Sequence, residues 1–210
     1  AATKALYNGN IAETFWSSGS DGVGIVRAYG YKYDNLNRLK DATFYKKGSL
    51  PYVSKSYDEN LTYDKNGNIK TLLRNGDVDD ALPANGIDNL AYTYATNSNK
   101  LLNVFDNSNN TSGFNDVGRT GDDYTYDANG NMITDKNKNI TAITYNHLNL
   151  PAKITFGTTG NIVYLYNAVG QKVKKIFNLL LPTPTVVTTD YLGGYQYTGG
   201  VLQFYPTAEG

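Results

Sequence analysis

Residues 124–132 read Tyr124-Thr125-Tyr126-Asp127-Ala128-Asn129-Gly130-Asn131-Met132, and this order dictates a hairpin. Tyr124 and Tyr126 are two positions apart, so on a strand both rings leave the same face, each with a stiff apolar body and a polar tip, while Thr125 points the other way. Asn129-Gly130 is a strong short-range signal for chain reversal, because a two-residue type I′ turn needs positive φ at both central positions. The expectation is a type I′ turn there, with Met132-Ile133-Thr134 returning beside the tyrosines. Cross-strand pairs of that kind contribute roughly 0.2–1 kcal/mol each.

The same phrase recurs along the chain, and a fixed period is the sequence signature of a repeat architecture. Near-full copies are Tyr31-Lys32-Tyr33-Asp34-Asn35-Leu36-Asn37-Arg38-Leu39 and Leu61-Thr62-Tyr63-Asp64-Lys65-Asn66-Gly67-Asn68-Ile69. Weaker ones are Tyr92-Thr93-Tyr94-Ala95, Ile143-Thr144-Tyr145-Asn146-His147-Leu148-Asn149-Leu150, Tyr164-Leu165-Tyr166-Asn167-Ala168-Val169-Gly170-Gln171 and Tyr195-Gln196-Tyr197-Thr198. Tyr7-Asn8-Gly9-Asn10-Ile11 is a half copy. The second tyrosines fall at 33, 63, 94, 126, 145, 166 and 197, at intervals of 30, 31, 32, 19, 21 and 31. About 20 residues suffice for one hairpin with its connection, given strands of roughly 5 or 6 residues and loops of roughly 2 to 5. Repeat units are therefore expected near 31–60, 61–90, 91–122, 123–142, 143–162, 163–185 and 186–210, after a degenerate repeat over 1–30. The longer units carry extra turn-like sequence, such as Pro83-Ala84-Asn85-Gly86 and Asn107-Ser108-Asn109-Asn110-Thr111-Ser112-Gly113, which should decorate one side of the sheet.

Composition agrees with many short strands joined by tight turns. The 210 residues include 19 Tyr, 26 Asn and 21 Gly, with 18% charged residues. No long amphipathic helical period is present, so the fold class read from the chain is all-β, a series of antiparallel hairpins in a curved or spiralling sheet. Leu72-Leu73 and Leu179-Leu180-Leu181 break the alternation and imply bulges or strands buried on both faces. Leu181-Pro182-Thr183-Pro184-Thr185 reads as an extended connection or a hairpin tip.

Charge and residue inventory exclude several functions. With 19 basic and 19 acidic residues interspersed, the chain lacks the clustered Lys and Arg on which nucleic-acid and anionic-lipid binding rest. No cysteine means no disulfide, thiolate metal site or thiol nucleophile, and one histidine cannot supply an imidazole cluster. The opening Ala1-Ala2-Thr3-Lys4 lacks the basic and apolar regions of a signal peptide, and Ile176 to Leu181, interrupted by Asn178, falls far short of the roughly 20 apolar residues of a membrane span. A soluble chain without membrane insertion is expected.

These repeats resemble the YD-repeat, or RHS (rearrangement hotspot), family, whose motif is Tyr-Asp followed by a turn and Gly or Asn. The match covers nearly the whole chain, and Tyr145-Asn146-His147-Leu148-Asn149-Leu150-Pro151 looks like that family's Tyr-Asn-x-Leu-Asn-x-Pro variant. The resemblance implies an arc of a hollow β-shell. In bacterial polymorphic toxins and insecticidal toxin complexes such shells enclose a C-terminal toxin, and related repeats build the extracellular part of teneurins. It further implies a secreted or surface-displayed protein whose partner is the rest of a larger polypeptide, its C-terminal core and toxin domain. Asp190-Tyr191-Leu192-Gly193-Gly194-Tyr195-Gln196-Tyr197 looks like the segment that precedes the family's RHS-associated core. The Asp-Pro-x-Gly signature of that core's self-cleavage is not carried over, since the chain has no Asp-Pro pair.

No catalytic, cofactor or metal site is nominated. Asp34, Asp64 and Asp127 stand at equivalent places, but Asn146, Asn167 and Ala95 take that place elsewhere, and Asn can bond nearby amides without acting as a base or anionic ligand. Their expected role is an Asx-type turn. Asp127-x-Asn129-x-Asn131 opens like an EF-hand loop but has Met132 and Lys138 where that loop needs Gly and Glu. Asp77, Asp79 and Asp80 form the one carboxylate run with any claim on a surface cation. The expected structural positions of the repeat are Tyr31, Tyr33, Asp34, Tyr63, Asp64, Gly67, Tyr92, Tyr94, Tyr124, Tyr126, Asp127, Gly130, Tyr145, Asn146, Tyr164, Tyr166, Asn167, Tyr195 and Tyr197. Trp16, outside the register, is the single candidate for a ligand-binding aromatic, with packing on an edge strand as the competing reading. The competing function is a module that holds carbohydrate or a cell-surface partner on Tyr-rich faces and inserted loops. Strand edges left open by the repeat also predict self-association.

Overall fold

A computed structural model of the chain describes residues 4–21, 24–47, 51–53, 55–78, 83–117 and 120–207. Two compact units emerge, Ala1–Arg119 and Thr120–Gly210. In the first, β1 (Glu13–Trp16), β2 (Val26–Tyr33), β3 (Leu39–Lys47), β4 (Pro51–Val53), β5 (Glu59–Tyr63), β6 (Ile69–Asn75), β7 (Gly86–Tyr94) and β8 (Leu101–Asp106) form an eight-stranded sheet. Its order is β1-β2-β3-β5-β6-β7-β8, with β4 paired to β3 beside β5. In the second, β9 (Tyr124–Tyr126), β10 (Met132–Asp135), β11 (Ile140–Tyr145), β12 (Pro151–Phe156), β13 (Gly160–Tyr166), β14 (Lys172–Leu179), β15 (Thr185–Leu192), β16 (Tyr195–Thr198) and β17 (Val201–Phe204) follow one another across a nine-stranded sheet. Every pairing is antiparallel, so the chain is all-β as the repeats imply. The only helical elements among the described residues are two short 3-10 turns, Gly19–Asp21 and Lys136–Lys138.

The hairpin turn differs from the type I′ geometry expected at Asn129-Gly130. Gly130 is left-handed at φ 85° and Asn129 is not. Gly130 N–H donates to the Asp127 carbonyl at 3.1 Å, and Asp127 N–H to the Asn131 carbonyl at 2.9 Å. This is a three-residue loop, a type I turn followed by one left-handed residue. The cause lies in Asp127, whose Oδ1 accepts from the amides of Asn129 at 2.9 Å and Asn131 at 2.8 Å and so folds the chain into the turn that favours Asp at its first position. The extra residue shifts the register at the second tyrosine of the hairpins, between Lys32/Tyr33, Thr62/Tyr63, Thr93/Tyr94, Thr144/Tyr145 and Leu165/Tyr166. Two-residue turns with both residues left-handed do occur, at Gly193-Gly194 (φ 55° and 93°) and Gly199-Gly200 (φ 58° and 81°).

Burial is concentrated in the first unit. Phe44 on β3 is 1% exposed, and the rings of Tyr57, Tyr29 and Trp16 lie 5.0, 5.4 and 6.1 Å from it. Ala28, Ala42, Leu61, Ile87, Leu90 and Val104 complete this core. In the second unit Tyr124 is the one hydrophobic residue buried among those described, beside buried Asp123, Asp135 and Asn137. The unbroken Leu72-Leu73 pair marks no bulge, since the β5–β6 and β6–β7 registers run through it and Leu73 is 45% exposed. Residues 180–184 form the hairpin tip between β14 and β15.

Candidate functional site

The repeat positions converge on one edge of each sheet, where the turns stand side by side. Five turns share one hydrogen-bond grammar. The Oδ1 atoms of Asp34, Asp64, Asp127, Asn146 and Asn167 each accept from the backbone amides two and four residues on, at 2.8–3.1 Å. Asp and Asn serve this first bond equally. The second side-chain atom distinguishes them. Oδ2 of Asp34 accepts from Arg38 Nε at 2.7 Å, that of Asp64 from Asn68 Nδ2 at 2.8 Å, and that of Asp127 from Asn131 Nδ2 at 2.9 Å. At Asn167 the polarity inverts, its Nδ2 donating to Gln171 Oε1 at 2.8 Å. These side-chain donors, followed by the turn amides, hold the carboxyls of Asp34, Asp64 and Asp127 below the ordinary range. Where the position is Ala95, the loop is one residue longer, with Ala95 N–H bonded to the Lys100 carbonyl, and Ser98 Oγ accepts from the Lys100 amide instead.

The second tyrosine of a repeat ties its hairpin to the one before. Tyr33, Tyr63, Tyr94, Tyr145 and Tyr166 donate their hydroxyls to the carbonyls of Ile11, Leu39, Ile69, Met132 and Pro151 at 2.6–3.0 Å. Each acceptor is the residue that follows the preceding turn. A strand pairing would form with any side chain here, whereas this bond forms only when turn and tyrosine keep their spacing. Burial raises the hydroxyl pKa of Tyr63, Tyr145 and Tyr166, which keeps the donor protonated. Arg38 adds a second tie across the same boundary, its guanidinium lying 4.5 Å over the Tyr63 ring and donating to the Asp64 carbonyl at 3.1 Å.

The first tyrosines pack. Tyr31 stacks on Tyr29 at 5.8 Å and its hydroxyl bonds Thr14 Oγ1 at 3.1 Å; Tyr124 is buried; Tyr164 lies 6.5 Å from Tyr166. Tyr92 on β7 is opposite Val104, and burial raises its hydroxyl pKa. Tyr126 pairs with Met132, Tyr195 stacks on Tyr205 at 6.3 Å, and Tyr197 stands between Asp190 and Leu202. Gly67 and Gly130 hold the left-handed turn position at φ 94° and 85°. Trp16, on the outer strand β1, stacks on Tyr29 at 5.7 Å and remains 40% exposed. The other face of the hairpins carries paired hydroxyls, Thr62 to Thr71 at 2.5 Å and Thr125 to Thr134 at 2.6 Å.

Sequence reasoning missed the carboxylates that fix the longest insertion. Asp88 is 3% exposed; its Oδ2 meets Arg74 Nε at 2.6 Å and its Oδ1 accepts the Phe114 amide at 2.6 Å. Asp106, 1% exposed, accepts the amides of Asn89 and Ser108 and the Ser108 hydroxyl at 2.8–2.9 Å. Gly113 lies so close to β7 that a Cβ would stand 2.0 Å from the Ile87 carbonyl oxygen. A recess of about 310 Å³ between Asp106, Asn110, Phe114 and Asp116 follows from this docking. Asp-x-Ser at 106–108 was the available sequence signal, that of a side chain bonding the amide two residues on. Of the acidic run, Asp77 is left-handed at φ 71°, and Asp79 and Asp80 lie outside the described residues. No group of three or more metal-ligating His, Cys, Asp or Glu occurs among the described residues, and no helix there is long and apolar enough to cross a membrane.

No protein-family model and no curated protein matches the chain. Solved structures do. A crystal structure of TcdB2-TccC3-TEV is similar to it with a TM-score of 0.51 at 14% identity, over 83% of this chain and 9% of the solved one. A crystal structure of TcdB2-TccC3-Cdc42 gives 0.43 at 12% identity, over 82% and 10%. The first likeness is one of fold. The chain spans about a tenth of the length of the solved chains it matches.

Proposed function

We propose that the chain is a structural segment of a larger RHS-type β-shell, secreted by or displayed on a bacterial cell, whose hairpins enclose or present a C-terminal toxin or effector domain. The observation that carries this reading is the double tie between successive hairpins, a backbone ladder reinforced at five boundaries by a tyrosine hydroxyl on the residue that follows the preceding turn. A wall must resist parting between its staves, and these bonds lie at the seams. The repeated carboxylates are occupied as acceptors within their own turns, which suits a structural role for them. The fold shared with the TcdB2-TccC3-TEV structure supports the shell.

Limited proteolysis of the full natural polypeptide tests the enclosure. Sequence beyond Gly210 should survive a protease dose that degrades the same sequence expressed without its repeats. Equal cleavage in the two contexts would sink the reading. The competing reading, a carbohydrate-binding module, is favoured by one feature, the exposed Trp16 ring stacked on Tyr29. A glycan array decides it: binding lost on Trp16→Ala supports the module, and an inert array removes it.

A further inference from the structure

Backbone ladders are blind to side chains, so strand pairing alone does not decide which hairpin lies beside which. The turns of this chain carry a second set of contacts that does. Three tripeptides have the sequence Asn-Gly-Asn, at residues 8–10, 66–68 and 129–131, with the central glycine left-handed at φ 87°, 94° and 85°. In each, both asparagine Nδ2 groups converge on one Oδ1 of a neighbouring turn. Asn8 and Asn10 reach Asn37 at 2.7 and 3.1 Å, Asn66 and Asn68 reach Asn99 at 3.1 and 2.9 Å, and Asn129 and Asn131 reach Asn149 at 3.1 and 3.0 Å. Asn37 and Asn149 themselves hold the left-handed position of their turns, at φ 61° and 57°.

Two of the turns that receive this clasp present a different one to their own neighbour. Asn37 is flanked by Leu36 and Arg38, and the next turn has Gly67 in the left-handed position; Asn149 is flanked by Leu148 and Leu150, and the next turn has Gly170. A Cβ on Gly170 would stand 3.3 Å from Leu150 Cδ1 and 3.5 Å from Leu148 Cδ1, and one on Gly67 would stand 3.8 Å from the Arg38 guanidinium. Two kinds of apposition thus alternate, paired amides on an asparagine and larger side chains on a glycine.

We propose that these are matched addresses, in which the two residues flanking one left-handed position recognise one residue of the following turn, the left-handed Asn37, Gly67, Asn149 or Gly170, or Asn99 two positions after the left-handed Asn97, so that each hairpin selects its neighbour. The partner recognised is a hairpin turn of the same repeat, with Asn in the slot for an Asn-Gly-Asn turn and Gly for a Leu-Asn-Leu or Leu-Asn-Arg turn. Mismatches are penalised from both sides. Leucines over Asn149 would cover an amide without bonding it, and any side chain at Gly170 would press on Leu150. The inference concerns the order of hairpins and stands independently of what a shell encloses.

Two double-mutant cycles in urea test it, Asn129→Leu with Asn149→Gly and Leu148→Asn with Gly170→Asn. Each of Asn129→Leu and Gly170→Asn should lower the unfolding midpoint, and each double variant should regain at least half of that loss by converting one apposition into the other. A single variant that does not fold while its double does is the same result in stronger form. Losses that simply add in both cycles, or doubles no more stable than the worse single, would overturn the proposal. Native-state hydrogen exchange at the Gly130 and Asn149 amides gives an independent readout, with slower exchange expected in the first double than in Asn129→Leu and equal exchange counting against the code.

Discussion

At the scale of the residue, the Tyr-Asp phrase divides its labour by atom. Oδ1 of the aspartate builds the turn, Oδ2 engages the residue four positions on, and the tyrosine hydroxyl reaches the preceding hairpin. Asp127→Leu removes the acceptor of two amides and should lower the midpoint of urea unfolding. Asp127→Asn should cost much less, and adding Asn131→Gln should recover part of the loss, because Asn167 and Gln171 already form that reversed pair. Harm from Asn equal to that from Leu would show that the charge itself matters. Gly130→Val forces a β-branched residue to φ 85° and should destabilise the chain by about 1–3 kcal/mol. The carboxyl pKa values of Asp34, Asp64 and Asp127 are depressed in the folded state, so their contribution is full above the unfolded value of about 4 and is lost as pH falls through the native values. Acid titration of stability should therefore show a decline below about pH 4 that is shallower in the triple Asp→Asn variant.

At the scale of the element, a hairpin here is held by its neighbours as much as by its own ladder. Tyr145→Phe leaves the ring and deletes only the hydroxyl bond to the Met132 carbonyl, so a loss of about 0.5–1.5 kcal/mol is expected. Hydrogen exchange should localise that loss to β10 and β11. Phe44 sits where three other rings meet, and Phe44→Ala should cost about 3–5 kcal/mol, enough to unfold a marginal sheet. Tyr29, whose hydroxyl is pushed up to about 12 mainly by burial, adds an alkaline limit. The stability tied to its neutral form is present below about pH 10 and lost as pH rises through the folded value.

At the scale of the whole molecule, an open sheet has ends. Strand β17 is last in its sheet, and its Val201, Leu202 and Phe204 are 63%, 44% and 53% exposed. Unpaired strand edges recruit other strands unless blunted by charge. Sedimentation of residues 1–210 over a range of concentrations should show self-association, and Leu202→Lys should reduce it. A monomer at all concentrations, with Leu202→Lys without effect, would mean that this edge is quiet.

The period of the tyrosines, the turn that follows each Tyr-Asp or Tyr-Asn phrase and the all-β class follow from the sequence, because side-chain alternation and left-handed Asn or Gly are local demands that the chain must meet wherever it lies. The interchange of Asp with Asn likewise foretold an acceptor of backbone amides, as bonds two and four residues away need no distant partner. The turn type was misread at Asn129-Gly130, since a single dipeptide cannot reveal that Asp127 would capture two amides and lengthen the loop. Tertiary structure alone decided the rest. It set the tyrosine hydroxyls on carbonyls 13 to 25 residues away, buried Asp88 and Asp106 under an insertion, and brought Asn129 and Asn131 to Asn149. Those partners are fixed by which hairpin packs beside which, a long-range choice that no local spacing encodes.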